Sequence, residues 1–485
     1  MLPKRGVQDM QKRLVTFFHH QQEEKLLMVL IFLGLLVRLV NFTAASAIDI
    51  DGIGYASAAK DFVHGAFGNA FGSIRLPAYP AAIALFHLFI PDVELAGRVT
   101  SLVFGILLIL LCFRFIRARW GLKTGLWAAT LVALHPYMAQ YSVRVLSESL
   151  ATFLFTASIF CFYEGWTTEK TGDLLWSGVL LACAYLTRAE YIIYFIPLSC
   201  VLIVQKGRTK SIPAFLICPL LLTLSFLAYL RLHTGFWVID KKILDWGGAG
   251  GGMDIYSYLT RVVSIRAVMK NIPAVSYHFC EAVYLPLLAL AILGFKKTDS
   301  RFRNLALLLI VVHLVGRSFV FHTTKRYSIE FVPLTLVFAV NGIGVVREFL
   351  HRYPRERLIQ AGLFLATSMV LLWGGILPSN HGREMEKRAG IIMRAYGPRS
   401  VIASRLPIIA FYAEGTWVSL DDMAKGNPPC SELRGRLDSK KAAYMAVDDR
   451  VEKTFPLVPG CIAGREPVID LARGKEYVRV YRLAP

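Results

Sequence analysis

Long apolar stretches recur along most of the chain, and short polar segments separate them. Between Leu26 and Leu377, runs of 18 or more mostly apolar residues follow one another. A helix of that length crosses a hydrocarbon layer of ~30 Å, because each residue adds about 1.5 Å. The pattern therefore predicts a polytopic α-helical membrane protein with about eleven spans. The predicted spans are residues 26–46, 95–116, 124–141, 145–165, 173–188, 190–205, 212–231, 281–295, 304–321, 327–349 and 358–378.

Other segments depart from this spanning pattern. Residues 77–91 are apolar but too short to span, which favours a helix at the interface or a re-entrant segment. They belong to the first predicted outer loop, residues 47–94, and the second outer loop is residues 233–280. After Pro378 the sequence changes to short alternating runs between polar helical stretches. Residues 380–485 are therefore predicted to form a small soluble α/β domain.

Composition and charge narrow the class of protein. A chain of 485 residues with 55% apolar and 18% charged residues does not suit a soluble protein. The net charge of +20 is spread among short loops rather than gathered on one face, so no nucleic-acid partner is predicted. These basic loops all fall on one side of the predicted spans, which the positive-inside rule makes cytoplasmic. Segment 1–25 is then cytoplasmic, and domain 380–485 is extracytoplasmic.

Two features of this topology leave alternatives open. Residues 26–40 and the AASA that follows also fit a cleaved signal peptide, although Arg38 and Asn41 interrupt that pattern. Cys430 and Cys461 lie in the soluble domain. Outside the cytoplasm a disulfide between them is chemically allowed, and two free thiols are the alternative.

Ionisable residues recur at the predicted outer ends of the helices. A charged group at mid-membrane depth costs roughly 2.5 to 3.5 kcal/mol unless it is paired or hydrated. Several such groups on one side therefore indicate a shared polar cavity at the outer leaflet. The chain has no CxxC, HExxH, nucleophile-elbow or Walker sequence, so metalloprotease, hydrolase and nucleotidase functions lack support.

Two carboxylates follow the first span directly, in the stretch AIDIDGIGYASAAKDF. Asp51 is a candidate general base, because a carboxylate just outside the bilayer can accept the proton of an attacking hydroxyl group. The alternative is that Asp51 caps the helix that begins there. Asp49 is either a like-charge neighbour that shifts the pKa of Asp51 or a metal ligand. Tyr55, one helical turn beyond Asp51, is a candidate substrate-binding residue.

The next candidates lie before the interfacial segment and at the start of the fourth span. Arg75 suits a lipid-linked phosphate, because a guanidinium can donate two parallel hydrogen bonds to it. Its alternative is snorkelling to lipid headgroups. Gln140, Arg144 and Glu148 are spaced four apart, which predicts that they share one helical face. Arg144 and Glu148 either bind the substrate or form a local ion pair.

Further charged residues lie at a tight outer turn and before the tenth span. Arg188 is a candidate phosphate ligand, and a structural ion pair with Glu190 is the alternative. In VFHTTKRYSIEF, His322 and Tyr327 are candidate substrate contacts, and Lys325 and Arg326 supply two cations. Fixed cations stabilise the charge that grows on a departing phosphate. Binding of anionic lipid headgroups is the alternative use of this cation pair.

In their order along the chain, these short motifs resemble those of the GT-C membrane glycosyltransferases. The motifs are D-x-x-x-Y at 51–55, R-x-P-x-Y-P at 75–80, SES at 147–149, LTR at 186–188, and KRY at 325–327 with Pro333 six residues beyond. Within that fold, the sequence looks most like the group of protein O-mannosyltransferases and lipid A aminoarabinose transferases. The resemblance covers roughly residues 26–380, so segment 26–379 corresponds to the transmembrane glycosyltransferase domain.

The resemblance implies inverting transfer of a sugar from a polyprenyl-phosphate donor to an acceptor hydroxyl or phosphate outside the cytoplasm, in a bacterial inner membrane. Asp51 matches the family's catalytic acid, and Lys325, Arg326 and Arg75 match positions that bind the donor phosphate. Members usually have Asp-Glu in the first outer loop, whereas Gly52 follows Asp51 here. The second acidic role is then unfilled or passes to Asp49. A Mg²⁺ or Mn²⁺ ion held by the two aspartates stays open, and no cofactor is certain.

The predicted partners are the polyprenyl-phosphate-linked sugar, the bilayer, and a lipid, glycan or protein acceptor. Two other functions fit the same residues. A transporter or flippase of an anionic lipid would use the cations for binding alone. A structural subunit would use the polar residues only to anchor its helices.

Overall fold

The structure, a computed structural model, divides into two compact units. The first consists of Met1–Phe42 and Ala58–Leu377, and the second of Thr43–Ser57 and Pro378–Pro485. The second unit thus contains both the stretch after the first apolar helix and the C-terminal region. The structure describes residues 4–45, 47–204, 211–235, 237, 239, 265–319, 324–376, 383–474 and 476–483. The predicted outer loop 233–280 therefore lies largely outside the described residues.

The described part of the first unit is helical. Helices α1 to α16 are Lys4–Ala44, Ile50–Val63 (which runs on from the second unit), Phe67–Gly72, Ala78–His87, Val93–Trp120, Leu122–Leu134, Pro136–Tyr141, Glu148–Thr168, Thr171–Thr187, Phe195–Val204, Ser211–Thr234, Ile265–Val283, Leu285–Gly294, Ser300–Ser318, Val332–Leu350 and Glu356–Ile376. Short 3₁₀ helices are Ala189–Tyr194, Phe295–Lys297 and Lys325–Phe331.

Five helices of the described part are long and apolar enough to cross a membrane. A sixth crossing results if Val268–Val283 and Leu285–Lys297, which meet at a bend of 92°, form one broken span. Shorter apolar helices lie where several other spans are predicted. The chain is thus a multi-pass helical protein, and the count of eleven stays a prediction. The five are Glu23–Ala44, Val93–Trp120, Ser211–Thr234, Lys325–Leu350 and Leu358–Gly375.

Two predicted spans are not continuous helices. Span 281–295 is broken at Tyr284, whose φ of 73° lies in the left-handed region, and Pro286 follows in the first turn of the next helix. Span 124–141 is interrupted at His135, which is extended and precedes Pro136. Hydropathy cannot predict either break, because the residues on both sides are apolar. The prolines do give a signal, because the residue before a proline avoids the helical region of backbone conformation.

Glycines allow α13 and α15 to pack closely. A Cβ added at Gly294 would overlap the carbonyl oxygen of Phe338, and one at Gly342 would overlap that of Leu290. Backbone cannot yield as a flexible side chain can, so these positions exclude any larger residue.

We expect Gly294→Ala and Gly342→Ala each to destabilise the first unit by at least ~2 kcal/mol, because each methyl group forces the two helices apart. Gly344→Ala is the matched control: a Cβ there meets no atom within 4 Å. It should be neutral or stabilise the helix by up to about 1 kcal/mol. Thermal unfolding in detergent measures the difference, and equal shifts for all three variants would refute the close packing.

The C-terminal part of the second unit holds a five-stranded mixed sheet. The strands are Val401–Ser404 (β1), Thr416–Ser419 (β2), Tyr444–Asp448 (β3), Ile469–Arg473 (β4) and Glu476–Arg482 (β5), in the spatial order β2-β1-β3-β5-β4. β1 pairs parallel with β2 and β3, whereas β5 pairs antiparallel with β3 and β4. The helices of this region are Glu384–Tyr396, Ile408–Tyr412, Leu420–Met423, Cys430–Ser439, Asp449–Thr454 and Val458–Cys461.

Apolar side chains pack on both faces of this sheet. Ala403, Met445 and Val447 face one cluster with Leu433 and Leu437 of a covering helix. A second cluster on the other face contains residues of β1, β3, β4 and β5 together with Ala389 and Met393. Of the two alternatives left open for the cysteines, the structure has the disulfide, between Cys430 and Cys461.

Candidate active site

A buried carboxylate lies at the centre of a polar cluster in the first unit. Glu148, the first residue of α8, has only 2% of its side chain exposed, and its Oε1 accepts hydrogen bonds from Arg188 Nη1 at 2.8 Å and from Arg326 Nε. In the described part of the chain its Oε2 has no hydrogen-bond partner. A buried charge is tolerated only when it is paired, so Glu148 and its two arginines depend on one another.

The second part of the cluster surrounds an aromatic ring. Arg188 also donates from Nε to Glu190 Oε1 at 2.8 Å. Its guanidinium lies 5.1 Å from the ring centroid of Tyr327, and that of Arg317 lies 3.8 Å from the same centroid. Two cations thus contact one aromatic ring, an arrangement that the ring's negative face stabilises. Tyr327 is thereby fixed next to the arginine–glutamate pairs.

Lys325 extends the cluster to two further helices. Its Nζ donates to Glu281 Oε1 at 2.8 Å and to the Tyr137 hydroxyl at 3.2 Å, and it lies 4.3 Å from the Tyr137 ring centroid. His278 Nδ1 lies 3.1 Å from the other carboxylate oxygen of Glu281. Lys325 and Arg326 are neighbours in the chain but are held by different carboxylates, so their charged groups spread over a wider surface than one ion pair would cover.

Four charged residues of the cluster form two pairs that differ in how much of the side chain is exposed. The side chains of Arg188 and Glu148 are 7% and 2% exposed, whereas those of Lys325 and Arg326 are 33% and 23% exposed. A ligand from outside can therefore touch the ammonium of Lys325 and the guanidinium of Arg326. The buried Glu148, itself paired with Arg188, holds Arg326, whereas Glu281 holds Lys325. Such a surface suits an anionic group that needs two fixed cations.

A third layer lies behind the cluster. Glu330 is 2% exposed, and its Oε1 lies 3.9 Å from His313 Nδ1. His313 also bonds to the Tyr194 hydroxyl at 3.2 Å and to Ser328 Oγ at 3.1 Å. These contacts fix the 3₁₀ turn Lys325–Phe331 from its buried side.

The shared helical face predicted for Gln140, Arg144 and Glu148 is wrong. Gln140 lies in α7, Arg144 in the turn that follows, and Glu148 begins α8, so no continuous helix contains all three. The guanidinium of Arg144 lies over the ring of Tyr141, at 5.5 Å from its centroid. Glu148 instead binds arginines from remote parts of the chain, Arg188 and Arg326.

The remaining predicted residues of the first unit are placed as follows. Arg75 lies in the loop before α4 and is half-buried, and its backbone N–H donates to Ser73 Oγ at 3.1 Å. In the same motif the Tyr79 hydroxyl hydrogen-bonds with Ser101 Oγ at 2.7 Å, which fixes α4 to α5. His322 lies outside the described residues.

The acidic stretch after the first apolar helix belongs to the second unit. Asp49 precedes helix Ile50–Val63, and its carbonyl oxygen accepts from the Ile53 N–H at 3.1 Å. Asp49 therefore occupies the N-cap position that the sequence alternative gave to Asp51, and Asp51 lies inside the first turn. In that turn the helix dipole still favours an ionised carboxylate. Tyr55 is in the same helix, and the backbone N–H of Ile48 donates to the Tyr412 hydroxyl at 2.9 Å.

Comparison with known proteins covers both sequence and fold. Residues 75–230 match the family model of dolichyl-phosphate-mannose-protein mannosyltransferases. No curated protein sequence matches the chain. The structure superposes on ArnT from Cupriavidus metallidurans with a TM-score of 0.65 at 12% identity, over 94% of this chain and 97% of ArnT. The agreement extends over almost the whole of both chains.

The chain has the GT-C fold. The same ArnT solved with undecaprenyl phosphate gives a TM-score of 0.65 at 12% identity, covering 94% of this chain and 98% of that one. The oligosaccharyltransferase AglB from Archaeoglobus fulgidus, solved with an inhibitory peptide and a dolichol-phosphate, gives 0.53 at 10% identity, covering 95% and 74%. The resemblance inferred from the short motifs is confirmed.

Within this GT-C fold, several residues of the cluster escaped the sequence analysis. Glu281 and Tyr137 hold Lys325, and Arg317 contacts Tyr327. His313 and Arg317 are polar residues four apart that follow the apolar run LALLLIVV of helix Ser300–Ser318, a spacing that could have identified them. Glu281 gave no such signal, because its partner Lys325 is 44 residues away in sequence.

The metal site proposed for Asp49 and Asp51 gains no further ligands from the described residues. Among them, no group of three histidine, cysteine, aspartate or glutamate side chains could hold a metal ion. A zinc ion accompanies another AglB structure, which has 10% identity to this chain and a TM-score of 0.58, covering 90% of this chain and 69% of that one. Two carboxylates leave most positions around a Mg²⁺ or Mn²⁺ ion to water and substrate oxygens.

Glu148→Ala should destabilise the GT-C unit by about 3 to 5 kcal/mol, because it leaves the buried Arg188 and the partly exposed Arg326 without their common carboxylate. The matched control is Glu164→Ala, which removes the half-exposed partner of Arg119 and should cost no more than about 1 kcal/mol. Unfolding of both variants in the same detergent checks this. A Glu148→Ala midpoint as high as that of the control would contradict the buried pairing.

Proposed function

We propose that this chain is an inverting glycosyltransferase. It transfers a sugar from a polyprenyl-phosphate donor to a hydroxyl or phosphate of a lipid, glycan or protein acceptor on the extracytoplasmic face of the membrane. The GT-C fold supports this proposal, as do the polyprenyl phosphates present in the ArnT and AglB structures. The observation that carries it is the pair of partly exposed cations, Lys325 and Arg326, which are held by the half-buried Glu281 and the buried Glu148 of the same unit.

Lys325 and Arg326 bind the donor phosphate in this proposal, and Arg75 supplies a further guanidinium. The leaving phosphate gains negative charge as the bond to the sugar breaks, so cations that are already in place lower the barrier more than mobile ones would. Glu148 and Arg188 act as positioning residues, since their burial leaves little surface for a ligand. Arg144, His322 and Tyr327 are proposed to contact the sugar or the acceptor.

Asp51 is the proposed general base. The acceptor oxygen attacks the anomeric carbon while Asp51 takes its proton, and the bond between that carbon and the phosphate oxygen breaks on the opposite side. The products are the glycosylated acceptor and polyprenyl phosphate, which leaves with the additional negative charge. Attack from the side opposite the leaving group inverts the anomeric carbon. Asp49 takes the second acidic role, either beside the acceptor or at a divalent cation, and Tyr55 lines the substrate path.

The proposed topology follows from the charge distribution. Segment 1–25 is cytoplasmic, segment 26–379 is the glycosyltransferase domain with about eleven crossings, and domain 380–485 is periplasmic in a bacterial inner membrane. A disulfide between Cys430 and Cys461 supports an oxidising compartment for this domain.

Reconstituted protein with a polyprenyl-phosphate donor of defined anomeric configuration tests the function. We expect labelled sugar to move to an acceptor fraction from the matching cell envelope, with the opposite anomeric configuration in the product. Transfer with retained configuration would refute the single-displacement mechanism. Movement of labelled polyprenyl-phosphate lipid across the bilayer without acceptor, and without any transfer in its presence, would favour the flippase instead.

A further inference from the structure

Two apolar cavities of the first unit meet at one arginine. The first, about 380 Å³, lies between α1, α6 and α15, and the second, about 360 Å³, between α6, α13, α15 and α16. Trp127, Ile343 and Arg347 line both of them. The two cavities therefore diverge from a common point that carries a positive charge.

Two basic residues line this junction, and among the described residues neither forms an ion pair with a carboxylate. Lys123 lines the first cavity, and Arg347 lines both. Both side chains are exposed, and in the described part of the chain no carboxylate forms an ion pair with either. Two carboxylates are paired with other cations: Glu23 pairs with Arg117, and Glu348, next to Arg347 in the chain, pairs with Lys297.

The junction lies far from the candidate active site. Arg326 is near the start of the membrane-crossing segment Lys325–Leu350, and Arg347 is near its end. Twenty-one residues of helix span about 30 Å, roughly one hydrocarbon layer. Arg347 and Lys123 therefore face the leaflet opposite to that of Lys325 and Arg326, on the side that the basic loops make cytoplasmic.

We propose that this junction binds an anionic phospholipid of the cytoplasmic leaflet, with its phosphate between Lys123 and Arg347 and one acyl chain in each cavity. Two cations complement an anionic headgroup, and two apolar cavities that diverge from them match a lipid with two chains. A polyprenyl phosphate has a single chain and would leave one cavity unfilled. A bound phospholipid would wedge α1 and α16 against the helices that carry the active site.

Two independent changes test this site. Lys123→Gln/Arg347→Gln removes the charges, with Arg114→Gln as control, because Arg114 is also exposed on the cytoplasmic side but lines neither cavity. Gly344→Leu fills the first cavity, since a Cβ at Gly344 meets no atom within 4 Å, and leucine favours the helix. Gly362→Leu is its control: it is equally unobstructed and lies outside both cavities.

Native mass spectrometry with added phosphatidylglycerol or phosphatidylcholine measures retained lipid. We expect the wild-type chain and both controls to retain one phosphatidylglycerol in preference to phosphatidylcholine. The charge variant should lose this preference by about thirtyfold, a factor of about five for each basic residue. Gly344→Leu should lose the bound lipid while keeping its unfolding midpoint.

Three results would overturn the site. The first is equal retention of the two lipids by the wild-type chain, and the second is undiminished phosphatidylglycerol on both Gly344→Leu and the charge variant. The third is displacement of phosphatidylglycerol by undecaprenyl phosphate, which would identify a single-chain lipid as the occupant. A change in oligomeric mass of Gly344→Leu with unchanged lipid would instead identify a second copy of the chain.

Discussion

Asp51→Asn lowers sugar transfer by roughly 10²- to 10⁴-fold if Asp51 is the general base, because the amide cannot accept the proton of the attacking hydroxyl. Asparagine has nearly the same shape and is tolerated in the first turn of helix Ile50–Val63, so the fold should be retained. Binding of the donor should change little, since Lys325 and Arg326, and not Asp51, are proposed to bind the phosphate. The substitution should therefore lower kcat and leave the affinity for the donor unchanged.

Initial rates of transfer and equilibrium binding of labelled donor measure these two quantities separately. Asp61→Asn, in the same helix, is the control for the loss of one carboxylate and should keep its rate. Asp49→Asn distinguishes the two aspartates: a large loss there that added Mg²⁺ or Mn²⁺ partly restores would assign Asp49 to a metal. Transfer by Asp51→Asn at the wild-type rate would exclude Asp51 as the base.

Removing the Arg326 charge should weaken donor binding and lower transfer together, by about 10² to 10³ in kcat. Arg326→Gln alone would leave the buried Glu148 with one of its two cations, so stability and function would fall together. The double variant Glu148→Gln/Arg326→Gln removes this complication, because both charges are lost and the two amides can still form hydrogen bonds. Its behaviour therefore reports the role of Arg326 rather than the cost of an unpaired carboxylate.

Two variants provide the comparison. Glu148→Gln alone keeps Arg326 and should retain donor binding, since it releases the guanidinium from its carboxylate. Glu94→Gln/Arg98→Gln removes another buried ion pair, outside the cluster, and should keep both binding and transfer. If the cluster double variant binds labelled donor as tightly as Glu148→Gln does, Arg326 does not bind the phosphate.

The sequence predicted the polar cluster better than it predicted the partners within it. The cost of charges near lipid indicated that Glu148, Arg188 and Arg326 share one polar site, and the structure brings all three into contact. It could not indicate that Glu148 prefers Arg326, because the two are 178 residues apart. Four-residue spacing favoured Arg144 as the partner instead, and the turn between α7 and α8 makes that spacing irrelevant.

Backbone breaks explain the other differences. Hydropathy predicts where apolar chain occurs, but the left-handed Tyr284 and the extended His135 interrupt apolar sequence without changing its polarity. In the C-terminal domain, the alternation in KEYVRVYRL predicts strand β5. The spatial order of the sheet depends on long-range pairing, which local sequence patterns do not encode.

An experimental structure of the chain with undecaprenyl phosphate bound tests the central claim most directly. We expect phosphate oxygens within hydrogen-bonding distance of the Arg326 guanidinium and the Lys325 ammonium, with Arg188 still bonded to Glu148. A phosphate bound among other residues, while Lys325 remains on Glu281 and Arg326 on Glu148, would contradict it.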